Sequence, residues 1–127
     1  MDKPEYFIGL MSGTSADGVD AALIRINQNQ IHLESFTEFP IPSDLKQTLV
    51  ALNHRPSIEL QQLCQLQKEI AELFSKAAIK LLETSDISAS QVAATGSHGQ
   101  TIFHAPDIPL TLQIGHPAFI AKQTGIT

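Results

Sequence analysis

Two strand-length apolar runs, Tyr6–Met11 (YFIGLM) and Val19–Ile26 (VDAALIRI), lie only seven residues apart. No other feature constrains this chain as tightly, because it demands a strand, a short loop and a second strand in quick succession. The intervening SGTSADG is rich in glycine and hydroxyls. A third, weaker run covers Gln30–Phe39, with Ile31, Leu33 and Phe36 among polar residues. The link Asn27-Gln28-Asn29 is turn-like, so the three runs read as an antiparallel meander.

Pro40 and Pro42 end that pattern. Ser43 is expected to cap a helix over Asp44–Leu52. His54-Arg55-Pro56 interrupts it, and Ser57 is expected to cap a longer helix reaching Glu83. There Leu63, Leu66, Ile70, Leu73, Phe74, Ala77 and Leu81 recur at helical spacing and form one apolar face. Cys64, the single cysteine, falls inside this helix and reads as a packing residue. Gln91–Ala94 predicts a strand running into a second small-residue loop, TGSHGQT. Leu110–Ile114 predicts another strand, and His116–Gln123 a helix with Pro117 in its first turn and Gly125 at its end. A helix followed by Gly-Ile-Thr is how a chain enters a new strand, so the domain is expected to be incomplete at its C-terminal end. The order β-β-β-α-α-β-β-α predicts an α/β domain of ribonuclease-H-like type.

Composition narrows the function. The 127 residues are 43% hydrophobic and 17% charged, ordinary globular usage. Eight Lys and Arg stand against thirteen Asp and Glu, a formal charge of −5 with no basic stripe, which disfavours nucleic acid as a partner. No apolar run approaches the roughly 20 residues of a membrane span, and no signal-peptide core is present, so no membrane partner is expected and the cytoplasm is the expected compartment.

The first loop, within Gly9–Asp20, suits a phosphate cradle. Gly13 and Gly18 allow close backbone approach, and successive N–H groups can form an anion-binding nest. Ser12, Thr14 and Ser15 add hydroxyls, and Asp17 and Asp20 suit a hydrated magnesium ion held through water. The segment is neither a Walker A loop nor a GxGxxG fingerprint, since the spacings differ. A plain hairpin turn uses the same residue types and stays open as a reading. In the second loop, His98, Gln100 and Thr101 offer donors and acceptors suited to sugar hydroxyls. A structural histidine, or a metal site from His98, His104, Asp107 and His116, are the plainer alternatives; their spacings match no standard motif.

The stretch MSGTSADGVD, residues 11–20, resembles the MSGTSxDGxD signature of anhydro-N-acetylmuramic acid kinases, and GSHGQTIFH resembles their GxHGQTxxH motif. LQIG, a helix and TGIT resemble the next block. The resemblance implies an actin-like ATPase fold, with residues 1–127 as the amino-terminal part of the first lobe. It implies ATP and magnesium as cofactors, with Gly13, Thr14, Ser15, Ala16, Asp17, Gly18, Val19 and Asp20 as the ATP-phosphate segment. It implies His98, Gln100 and Thr101 as sugar contacts, and an anhydro amino sugar opened and phosphorylated during cell-wall recycling. Two departures stand out. Sugar kinases of this fold often carry an acidic residue where Met11 sits, and aspartate is expected where His116 sits. The family's water-activating carboxylate belongs to an FDTGPGN-type motif, which does not occur here, so no catalytic residue is expected in this chain and the chain alone is expected to be inactive. A non-catalytic nucleotide-binding module is the rival reading. A homodimer stays open, because the sequence does not give oligomeric state.

Overall fold

The computed structural model describes residues 3–127. Strands β1 (Glu5–Ser12), β2 (Gly18–Asn27) and β3 (Gln30–Pro40) form the expected antiparallel meander. Gln28 and Asn29 both take positive φ, at 50° and 67°, which a two-residue hairpin turn of primed type requires. Near Glu34 the β2–β3 register slips: Leu23 faces Ser35, but Ile24 faces Leu33. Through this bulge Asp20 comes to face Glu38.

Two helices come next, α1 (Ser43–His54) and α2 (Leu60–Ser85). Strand β4 (Val92–Ala105) then runs parallel to β1, β5 (Leu110–Ile114) returns antiparallel to β4, and α3 (Pro117–Thr124) closes the order. The sheet order is β3-β2-β1-β4-β5, in a mixed α/β arrangement. Ile8 and Leu10 of β1 and Val19, Ala21 and Leu23 of β2 are buried in one cluster with Ile70, Phe74, Ala77, Ala78 and Leu81 of α2. Burying each large apolar side chain of this kind contributes about 1.5–3 kcal/mol. The alternate positions Met11 and Phe36 remain exposed on the other face of the sheet. Among the described residues no helix is long and apolar enough to cross a membrane.

Four expectations are corrected. Ser43 does not cap α1: Pro42 holds the extended cap position, and Ser43 is already helical. Ser57 does not cap α2 either. Its N–H bonds to the Arg55 carbonyl in a tight turn about Pro56, the chain stays extended at Glu59, and the helix begins at Leu60. Cys64 is exposed, because it lies about 200° around the helix from the buried Leu66. The second predicted loop is no loop: Gly96 through Thr101 lie inside β4, paired with β1 and then with β5.

Candidate functional site

Parallel pairing of β1 and β4 brings the two glycine-rich motifs together at the carboxyl end of β1. Leu10 pairs with Ser97 and Ser12 with Gln100, so β4 spends one residue more than β1 between these pairs. This bulge contains His98 and Gly99. Gly99 has φ +78°, and a Cβ there would stand 2.6 Å from the Ile114 carbonyl oxygen, so only glycine fits. The extra residue reverses the facing of the strand residues beyond it. Gln100, which simple alternation from Ser97 would turn to the open face, points inward and is 1% exposed.

The loop Gly13–Asp17 is tied down by its carbonyl oxygens. The Gly13 carbonyl accepts from Ala16 N–H at 3.0 Å and from Gln100 Nε2 at 3.1 Å. The Thr14 carbonyl accepts from Asn53 Nδ2 at 3.4 Å, and the Asp17 carbonyl from Ile41 N–H at 3.4 Å. Ala16 is fully buried at φ 54°, anchoring the turn by its methyl group. In contrast, the N–H groups of Gly13, Thr14, Ser15 and Asp17 meet no protein acceptor among the described residues. With these carbonyls engaged and these amides left without an acceptor, the loop can offer N–H donors to an anion, as a nest does.

Helix α1 backs this loop. Lys46 and Asn53, seven positions apart, share a helical face with the buried Leu49 between them. Lys46 Nζ sits 2.5 Å from Asp17 Oδ1. That hydrogen bond, the Ser15 hydroxyl and the Lys46 charge hold the Asp17 carboxyl below the usual carboxylate range. Asp17 and Asp20 therefore have different surroundings. Asp17 is engaged by Lys46, whereas Asp20 sits on β2 at register positions facing Met11 and Glu38. The Glu38 side chain also lies across Gly18, where a Cβ would come within 2.7 Å of its Cγ. The two facing carboxylates suit a hydrated divalent cation, since like charges at paired positions repel unless one is shared. Among the described residues there is no group of three or more metal-ligating side chains.

The remaining sequence-derived positions divide by exposure. Thr14 and Ser15 are exposed, while Gly18 and Val19 are buried and can offer only backbone. His98 is exposed, its Nδ1 3.4 Å from the Gly99 carbonyl, and Thr101 Oγ1 accepts from Gln113 Nε2 at 3.2 Å. Gln100 differs from the expected open sugar contact, because its side chain is enclosed beneath the loop. His104 is exposed on β4, and His116 is the N-cap residue of α3. Sequence reasoning passed over Lys46, Asn53 and Glu38. Glu38 was accessible in part, because counting back from the turn at Gln28-Asn29 places it within one position of Asp20.

Residues 5–127 match the family model described as anhydro-N-acetylmuramic acid kinase. A protein of that name from Hydrogenovibrio crunogenus is 56% identical over 123 residues, which cover 97% of this chain and 34% of that protein. Its namesake from Vibrio cholerae is 43% identical over 129 residues, covering 100% of this chain and 35% of its own. That of Shewanella denitrificans is 46% identical over 128 residues, with 99% and 35% covered. The chain thus spans about a third of the length of the curated relatives it matches.

Proposed function

The chain belongs to the anhydro-N-acetylmuramic acid kinase family, and from that premise we propose that it provides the phosphate-gripping half of an ATP-dependent amino-sugar kinase. The observation that carries this reading is the loop Gly13–Asp17, where the carbonyls of Gly13, Thr14 and Asp17 are engaged while the amides of Gly13, Thr14, Ser15 and Asp17 meet no protein acceptor among the described residues. Phosphoryl transfer depends mainly on positioning and charge neutralisation, and such a loop serves both.

In this reading the amides of Gly13, Thr14 and Ser15 and the hydroxyls of Thr14 and Ser15 hold ATP phosphate oxygens. Lys46, a short step away on α1, adds a positive charge to the same edge. Asp20 and Glu38 hold magnesium through water, and the ion neutralises phosphate charge when bound. His98 and Thr101 line the side where the sugar sits. The reaction uses ATP and water to convert 1,6-anhydro-N-acetylmuramic acid into N-acetylmuramic acid 6-phosphate, opening the anhydro bridge. The element order is read as the first part of a ribonuclease-H-like lobe of the actin-like superfamily. The water-activating carboxylate and the opposing lobe come from outside these 127 residues, so the chain alone is inactive. The test is ADP release from the native-length protein carrying this sequence, with magnesium, ATP and the anhydro sugar. Sugar-dependent release supports the assignment; ATP binding without sugar-dependent turnover favours the non-catalytic nucleotide module.

A further inference from the structure

We infer that Gln100 is a positioning residue for ATP, a strut that sets the shape of the phosphate loop from below without touching the sugar. The inference rests on the kinase reading above for its activity measurements, and on geometry for its premise. Three features converge on this side chain. The bulge at His98-Gly99 exists at a conformational cost that only glycine tolerates, and its effect is to turn Gln100 inward. Once inside, Gln100 Nε2 donates to the Gly13 carbonyl at 3.1 Å and to the Thr101 carbonyl at 3.3 Å. It thereby links the first motif to the second across 87 residues of sequence. Finally, Gln100 is almost fully buried, which no residue reaching for a sugar in an open cleft would be.

The Gly13 carbonyl is the acceptor that closes the turn on Ala16 N–H. A second donor on that oxygen holds it pointing down, and with it the peptide plane that carries the Thr14 N–H. Removal of the Gln100 donor frees this plane to rotate, and a rotated carbonyl would present negative charge to phosphate. The neighbouring buried atoms underline how specific the pocket is. Gln100 Oε1 and Ser12 Oγ, on paired residues of β4 and β1, are both enclosed without a protein partner. Glutamine is thus kept in a site where its carbonyl end is poorly served, which points to the amide end as the reason for its presence.

Gln100→Met keeps the length and removes the donor, and Gln100→Glu keeps the acceptor while replacing the amide. In the native-length protein, both variants are expected to raise KM for Mg-ATP about three- to tenfold, the scale of one lost hydrogen bond. KM for the sugar should stay within about twofold. A purely structural role would lower thermal stability and affect both substrates alike. A rise in sugar KM with ATP KM unchanged would overturn the inference and restore Gln100 to the sugar contacts. Direct titration with Mg-ATP separates this from the kinase reading. If the wild type binds Mg-ATP but phosphorylates no amino sugar, the kinase reading fails, and weaker Mg-ATP binding by both variants still upholds the strut. Unchanged Mg-ATP affinity in both variants overturns it whatever the turnover. Should Gln100→Met not fold, the Gln100→Glu variant alone decides.

Discussion

The loop between β1 and β2 and the middle of β4 are built from nearly the same residue types, yet one is an open turn and the other a paired strand. Both are rich in glycine, hydroxyls and polar side chains. The difference lies in where their backbone hydrogen bonds go. In Gly13–Asp17 the carbonyls of Gly13, Thr14 and Asp17 are bound and every amide but that of Ala16 is free, whereas Gly96–Thr101 is paired with β1 and then β5 except at the His98-Gly99 bulge. A backbone with free amides can bind an anion, and one paired along most of its length recognises ligands chiefly by side chains. The two regions are therefore suited to different parts of a substrate pair.

Glycines should break this comparison most visibly. Gly99→Ala places a Cβ against the Ile114 carbonyl at positive φ, and should destabilise the protein by about 2–4 kcal/mol. Gly13→Ala meets nothing nearer than Ser15 Oγ at 4.0 Å and should change stability by less than about 0.5 kcal/mol. Urea denaturation of both variants measures the contrast; similar losses would mean that the loop is as tightly enclosed as the strand.

Charge beside the loop comes next. Asp20→Asn should lower kcat/KM for Mg-ATP by roughly tenfold, about 1.4 kcal/mol, with sugar binding affected less. Kinetics indistinguishable from wild type would remove Asp20 from the magnesium site. A smaller effect is expected on the strand side, where His98→Ala should raise the sugar requirement by about 0.5–1.5 kcal/mol and leave ATP affinity nearly unchanged. An equal loss for ATP would move His98 to the nucleotide side.

The smallest effect concerns the Lys46–Asp17 pair, which is largely exposed. Lys46 holds the Asp17 carboxyl below its ordinary range, so the pair stabilises the fold above the unfolded pKa. That contribution is lost as pH falls through the lower folded value, below about pH 4. Asp17→Asn should therefore leave the melting temperature nearly unchanged at pH 7 and flatten its decline at acid pH. A steeper decline in the variant would contradict the pairing.

Much of this architecture was legible in the sequence, and the parts that were not have physical reasons. The meander, the α2 face and the cap at Gly125 arise from local periodicity and turn chemistry. The β4 strand was missed through Gly96–Thr101 because glycine and polar residues carry little strand preference, and only pairing with β1 and β5 extends it. Ser43 and Ser57 met the composition of a cap, but proline geometry nearby displaced both helix starts. Lys46 and Asn53 were hidden because their helical face is identified only by what α1 packs against. Gln100 resembles a sugar contact in the sequence because a bulge that reverses facing leaves no signal except the glycine beside it.

Backbone amide NMR of the native-length protein separates a phosphate role for the loop from a sugar role for the β4 segment. Titration with Mg-ATP should shift the amides of Gly13, Thr14, Ser15 and Asp17 first and furthest, with His98 and Thr101 responding only when the anhydro sugar is added. Mg-ATP shifts centred on His98–Thr101, with the Gly13–Asp17 amides unmoved, would overturn that division of roles.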